Sequence, residues 1–194
     1  MIPKISGVKL EYFSEGKHGI IHTGMLDGVK IAVKSGKDDI DVDSSIRESK
    51  MLEFLNPHGI GPRMIKKGKG WVMYEFVEGT YFDVWQKTCT KDQMVRIMKK
   101  LFLKCYALDK LGIRKNEFTR PTTNVIVMKG NVPKLIDFER ALFSNRPGNV
   151  NQLAQFYTMH HRRDLKDGLI DLAKQYKKDY SQKSFDAILK YLEL

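Results

Sequence analysis

The hydrophobic period changes near residue 78, and that change limits what this chain of 194 residues can fold into. Before it, apolar residues alternate as on strands; after it, they recur every three to four, as on helices. Val8, Leu10 and Tyr12 alternate, as do His22 to Met25, and Val29-Lys-Ile-Ala-Val-Lys34 follows the turn Asp27-Gly28. Asp-Gly between alternating runs is a strong hairpin signal. A second hairpin is expected to turn at Lys67-Gly-Lys-Gly70, with Trp71 to Val77 as a buried strand leading to Glu78-Gly79. Between the hairpins, Asp38 to Asp43 reads as an acidic loop. Ser45 with Glu48 three residues on has the capping-box pattern, so a helix is expected from Ser45 to about Leu55, ahead of Asn56-Pro57. Beyond residue 78, Thr90 with Gln93 repeats that pattern. Met94, Ile97, Met98, Leu101, Phe102, Cys105 and Leu108 keep helical spacing up to Gly112. Residues 151 to 194 read as two or three further helices. The expected class is α+β: a small antiparallel lobe with one helix over 1–78, and a mainly helical lobe over 79–194.

Composition narrows the function classes. The apolar content of 42% is enough for a real core. There is no run of about 18 apolar residues, so no membrane span or membrane partner is expected. Met1-Ile-Pro-Lys4 has no apolar signal core, and Cys89 and Cys105 match neither a metal spacing nor a disulfide framework. A cytoplasmic protein with free thiols is the expectation. Residues 1–80 hold 12 Lys+Arg and 11 Asp+Glu, whereas residues 81–194 hold 22 and 12, so nearly all of the net +11 lies in the second part. That part should meet an anionic partner, or the surplus lysine serves only solubility.

The chemistry-bearing residues concentrate in a few places. Lys134-Leu-Ile-Asp137-Phe-Glu-Arg140 delivers an acid where a buried strand runs out. Just before it, Asn124-Val-Ile-Val-Met128, the turn Lys129-Gly130-Asn131 and Val132 spell a hairpin. Asn124 and Asp137 stand at its two ends, and two oxygen donors there suit a hard cation such as magnesium, unless they are only polar strand ends. Gly16 and Gly19, in the turn Ser14-Glu-Gly-Lys-His-Gly19, would let backbone N–H groups approach a phosphate, or simply make a turn. Alternation sets Ile31 and Val33 on one face and Ala32 and Lys34 on the other, leaving room beside Lys34 for a flat ligand. Glu48, Met51, Leu52 and Leu55 share one helix face. Glu48 either points inward to a cation such as Lys34 or closes the cap at Ser45.

In order, these pieces resemble the protein-kinase-like superfamily: glycine turn, strand lysine, helix glutamate, strand to a hinge, long helix, polar loop, asparagine, then Asp-Phe. Ser14-x-Gly16-x-x-Gly19-x-Ile21 resembles the glycine-rich loop, Ile31-Ala-Val-Lys34 the lysine strand, and Asp137-Phe138-Glu139 the Asp-Phe-Gly triplet with its last residue changed. Leu111-Gly-Ile113, Thr119-Arg-Pro121, Asn124-Val-Ile-Val127 and Leu135-Ile-Asp-Phe-Glu-Arg-Ala141 are similar to the small archaeal predicted Ser/Thr kinases, relatives of the RIO-type and lipopolysaccharide-type kinases. The resemblance covers about residues 8 to 145. It implies a two-lobed protein-kinase-like fold with a reduced C-lobe and with ATP between the lobes. Lys34, oriented by Glu48, would meet the phosphates, and the main chain at Glu75 and Val77 the adenine edge. Asn124 and Asp137 would hold Mg2+.

One departure matters. The catalytic aspartate of that family would stand five residues before Asn124, where this chain has Thr119. Glu117, two residues further back, is the nearest carboxylate and the candidate base, or else a solvated loop residue. Arg120 is a second candidate cation, or a structural one. The implied activity is ATP- and magnesium-dependent phosphoryl transfer to a Ser/Thr protein substrate or to the chain itself. An ATP-binding switch that meets RNA or the ribosome through its basic second part is the alternative, and a small-molecule (sugar) kinase a further one.

Overall fold

Three successive antiparallel strands make the start of the chain a meander. The computed structural model describes residues 3–16, 19–37 and 39–194, with the side chains of 39–42 set aside. Its described residues form two compact units, Met1–Glu78 with Lys134–Arg140, and Gly79–Pro133 with Ala141–Leu194. The stretch 134–140, expected in the second lobe, therefore packs with the first unit.

In the first unit, β1 (Glu11–Glu15), β2 (Ile20–Leu26), β3 (Val29–Ser35), β4 (Met64–Gly68) and β5 (Trp71–Glu75) form an antiparallel sheet in the order β1-β2-β3-β5-β4. Leu26 faces Val29 across a two-residue turn, and Asp27 and Gly28 both take positive φ, of 49° and 78°. That backbone twist matches the right-handed twist of the flanking strands. Ile31 and Val33 are fully buried with Met73, and Ile5, Val8, Leu10, Leu26, Ile65 and Trp71 pack around them. Alternation therefore places Lys34 on the opposite sheet face. The helix α1 (Asp39–Leu55) packs on β3, β4 and β5.

Two expectations are corrected here. Helix α1 begins six residues before Ser45, inside the stretch read as an acidic loop. The backbone of Asp39 to Asp43 is thus helix and not loop. Ser45 is thus mid-helix and buried, and Glu48 closes no cap. The strand from Trp71 stops at Glu75, two residues short of Val77.

The second unit starts with β6 (Thr80–Tyr81) and the single turn α2 (Phe82–Trp85), followed by α3 (Lys91–Lys110). The capping box of α3 is complete: Gln93 N donates to Thr90 Oγ1 at 3.2 Å, and Thr90 N donates to Gln93 Oε1 at 2.8 Å. The seven residues of its apolar stripe, Met94, Ile97, Met98, Leu101, Phe102, Cys105 and Leu108, are buried, as their spacing requires. A short strand β7 (Ile113–Arg114) then precedes β8 (Val125–Met128), β9 (Val132–Leu135) and β10 (Leu142–Phe143). β10 pairs with β7, a two-residue ladder with no signal in the sequence, and β6, β8 and β9 form a three-stranded sheet. Helices α4 (Asn149–His160), α5 (Lys166–Asp179) and α6 (Gln182–Tyr191) complete the unit. No helix among the described residues is long and apolar enough to cross a membrane.

Candidate functional site

A lysine at a strand end and three carboxylates meet in the first unit. Lys34 leaves the β3 face that α1 covers, and helical spacing aims Glu48 at the same point from α1. The stretch after β9 supplies Asp137 and Glu139. The Lys34 ammonium lies 2.9 Å from Glu48 Oε2, 2.9 Å from Asp137 Oδ1 and 3.0 Å from Glu139 Oε2. It donates hydrogen bonds to Asp137 and Glu139. Its contact with Glu48 Oε2 is an ion pair outside hydrogen-bond geometry, and that oxygen accepts no hydrogen bond. The other oxygen, Glu48 Oε1, accepts the Phe138 N–H at 3.2 Å.

Burial grades across the cluster. The side chains of Glu48 and Glu139 are 1% and 7% exposed and that of Lys34 12%, while Asp137 is 36% exposed and marks the open side. Burial alone would pull the Lys34 ammonium down. The carboxylates of Glu48 and Asp137, with Tyr74 and Glu139, outweigh it and hold the lysine well above its ordinary value. One ammonium thus meets three carboxylate side chains. The Arg140 guanidinium, itself exposed, lies 3.8 Å from Glu139 Oε1.

Packing fixes the acidic stretch. Phe138 is fully buried, and a Cβ at Gly61 would lie 2.7 Å from Leu52 Cδ2 and 3.1 Å from the Phe138 ring. Gly61 also has a φ of +81°. Lys134 Nζ donates to the Gly61 carbonyl at 3.3 Å. Asp137 itself has a φ of 61°, a left-handed backbone conformation uncommon for residues with a Cβ and adopted by aspartate more readily than by most.

The glycine turn sits beside the lysine. Gly16 N donates to the Gly19 carbonyl at 2.9 Å. A Cβ on Gly19 would meet the Ser35 carbonyl at 2.8 Å and the Lys34 stem at 3.6 Å, so only glycine fits there. Lys17 and His18, the middle of that turn, lie outside the described residues. At the strand end, the Glu75 N–H donates to the Arg63 carbonyl, and its side chain pairs with the Arg63 guanidinium. The Glu75 N–H is therefore committed to the sheet and cannot also serve a ligand. Val77 follows, half-buried, in a segment held by Lys30, which lies over the Phe76 ring and reaches Glu78.

The second unit holds the other two candidates. Asn124 ends the turn before β8, and Glu117 lies in the loop after β7. Glu117 is ion-paired with Lys115, whose side chain is fully buried. A buried network fixes this loop. Asn149 Oδ1 accepts the Lys115 N–H at 2.9 Å, and Asn149 Nδ2 donates to the Ile113 carbonyl and to Asp109. Asp109 also accepts from Asn149 N, Val150 N and Tyr176 Oη, and so serves the N–H groups that α4 leaves free at its start.

The structure thus brings Lys34, Glu48 and Asp137 to one point, with Gly19 beside them. Two participants escaped the sequence reading, Glu139 and Lys115. Glu139 was visible only as the altered third residue of Asp137-Phe-Glu, and Lys115 carried no signal beyond standing two residues from Glu117. Among the described residues, Glu48, Asp137 and Glu139 are the group whose ligand oxygens cluster closely enough to hold a metal, all lying within 4.8 Å of one another. A scan against protein-family models matches none, and a search of curated proteins likewise returns no match.

Proposed function

We propose that the chain is an ATP- and magnesium-dependent phosphotransferase acting on a hydroxyl, of the minimal two-lobed protein-kinase-like type. The observation that carries this reading is the meeting of Lys34, Glu48 and Asp137, residues 103 positions apart at the extremes, at one ammonium group. A structural ion pair needs one acid; a lysine held by a helix glutamate and also facing an acid at a strand end is arranged to handle phosphates and a metal together.

In this reading Lys34 binds the phosphates, Glu48 keeps the lysine charged and aimed, and Asp137 supplies oxygen to the magnesium ion. The donor set suits a hard cation that prefers carboxylate and carbonyl oxygen. When bound, the ion neutralises charge on the transferring phosphoryl group. Such transfer depends on positioning and charge more than on covalent help. The acceptor hydroxyl gives up its proton to a base or to solvent, its oxygen bonds to the terminal phosphorus, the bond to the bridging oxygen breaks, and ADP leaves. The roles of Asn124 as a further metal ligand and of Glu117 as base or hydroxyl-orienting group rest on the sequence resemblance. Glu117, paired with the buried Lys115, is held in a fixed direction rather than loose in solvent.

The test is incubation of the full chain with labelled ATP and magnesium, with and without a protein acceptor. Label on protein is the expected result. Asp137→Ala should abolish it while the circular dichroism spectrum stays that of the wild type. Retained labelling in Asp137→Ala would sink the reading. The basic composition of residues 81–194 favours a second reading, an ATP-binding switch that meets RNA; it predicts salt-sensitive RNA binding without label transfer.

A further inference from the structure

Helix α3 turns outward a basic and apolar face that its own stability does not call for. Arg96, Lys99, Lys100 and Leu103 follow the spacing i, i+3, i+4 and i+7, so they share one side of the helix, away from its buried stripe. Each is exposed, Leu103 by 50%. Between Gln93 and Leu108 the helix holds no acidic residue. Arg96 therefore meets Lys99 and Lys100 as like charges three and four residues away, an arrangement that weakens a helix. None of these cations stands in the last turn, where the helix dipole would favour it. Among the described residues, Arg96 and Lys99 make no ion pair and no side-chain hydrogen bond, and Asp92, one turn earlier, pairs with neither. Lys100 Nζ donates to the Asn131 carbonyl at 2.7 Å. That bond ties the β8–β9 turn to the basic face and brings the exposed Lys129 and the 43% exposed Val132, which flank Asn131, beside it.

We propose that this face docks an acidic protein segment that carries aliphatic side chains. Charge complementarity sets the sign of the partner: Arg96, Lys99 and Lys129 offer cations that no acid of the fold takes up. Leu103 and Val132 set the rest of its chemistry. Aliphatic side chains among lysines give a partner's leucine or valine a place to leave water, while the cations around them pair with its glutamates or aspartates and fix the register. RNA suits the face less well, because its bases seek aromatic rings to stack on. Of the aromatic side chains on α3, Phe102 is buried, and Tyr106 is stacked on Phe185 with ring centroids 4.3 Å apart. An acidic amphipathic helix, with an apolar residue every three or four positions, presents both required features on one side. Docking here uses the second unit alone and does not depend on phosphoryl transfer.

The experiment is fluorescence anisotropy of a labelled peptide, glutamate throughout with leucine at every third or fourth position, titrated with the full chain. Saturable binding is expected. Arg96→Glu together with Lys99→Glu should weaken it by about tenfold or more. Leu103→Ser should weaken it by about fivefold, through the lost apolar contact. Lys166→Glu together with Lys178→Glu, an equal change of net charge at exposed positions of α5, should leave the affinity within about twofold of the wild type. The substituted side chains are all exposed, and circular dichroism checks that each variant is folded. If the reversed-charge pair on α3 is not, Arg96→Gln with Lys99→Gln takes its place, with a smaller loss expected. No binding of the peptide, an equal loss in the α5 pair, or unchanged affinity in a folded Leu103→Ser would each overturn the proposal. A uridine oligonucleotide or anionic lipid vesicles that bind through Arg96 and Lys99 while the peptide does not would likewise overturn it, and would assign the face to nucleic acid or to a membrane surface.

Discussion

Lys34 and Glu139 stand 3.0 Å apart, ammonium to carboxylate, although 105 residues separate them along the chain. Glu139 is buried and the Lys34 side chain only 12% exposed, so this pair and the acids beside it bear on stability. Breaking a buried ion pair by removing one partner strands the other charge. Lys34→Met strands three carboxylates, whereas Glu48→Gln removes one negative charge and leaves two carboxylates facing the ammonium. Lys34→Met should therefore cost about 3 kcal/mol or more and Glu48→Gln clearly less. Urea unfolding at neutral pH checks the order; a Glu48→Gln variant less stable than Lys34→Met would contradict the charge count.

Phe138 is locked by the absence of a side chain at Gly61. A methyl group there would press on Leu52 and on the Phe138 ring, at a φ that L residues rarely adopt. Gly61→Ala should cost about 2 to 4 kcal/mol, strain and overpacking together. Gly59→Ala is the control. Its φ is also positive, at 69°, but its added Cβ would meet nothing within 4 Å. It should cost only the backbone strain, about 1 kcal/mol. Equal losses in the two variants, measured by urea unfolding, would show that the Phe138 contact contributes nothing.

Asn149 joins α4 to the loop that carries Glu117. Asn149→Ala leaves the buried Lys115 N–H and the Ile113 carbonyl without these partners, and Asp109 with one donor fewer. The expected cost is about 2 to 3 kcal/mol, since each buried polar group left unsatisfied carries its own desolvation penalty. If Glu117 orients the acceptor, label transfer should also fall in conditions where the variant remains folded. A stable variant with wild-type transfer would separate the network from the chemistry.

Asp179 sets an acid limit on the α5–α6 corner. Hydrogen bonds from the Ser184 hydroxyl, the Ser181 N–H and Gln175 lower its pKa to about 2. A carboxylate depressed on folding adds stability that is fully present above the unfolded value of about 3.9 and is lost as pH falls through the folded one. The unfolding temperature should drop between pH 4 and pH 2, about the interval between those values, and Asp179→Asn should flatten that part of the drop. An identical slope in the variant would assign the acid sensitivity to other groups.

Local order was legible where one physical signal acted alone. The Asp27-Gly28 turn, the capping box of Thr90 and Gln93 and the buried stripe of α3 follow from backbone strain, unpaired N–H groups and helical spacing, all of which operate within a few residues. The start of α1 was misread because a capping pattern at Ser45 competed with acidic residues that suit a helix N-terminus equally well. The β7–β10 ladder stayed hidden because two residues are too few to show a period.

The sequence by itself determined the α+β class, and it singled out Gly16, Gly19, Lys34, Glu48, Asn124 and Asp137, in that order, as candidates for a site. Only the tertiary structure decided that Glu48 turns to Lys34 rather than to a cap, that residues 134–140 pack with the first unit, and that Glu139 completes the ring of acids. The physical reason is range. Helical and strand periods are set by neighbours along the chain, whereas the charge balance around one buried ammonium depends on groups more than a hundred residues away, which nothing in local pattern can add up.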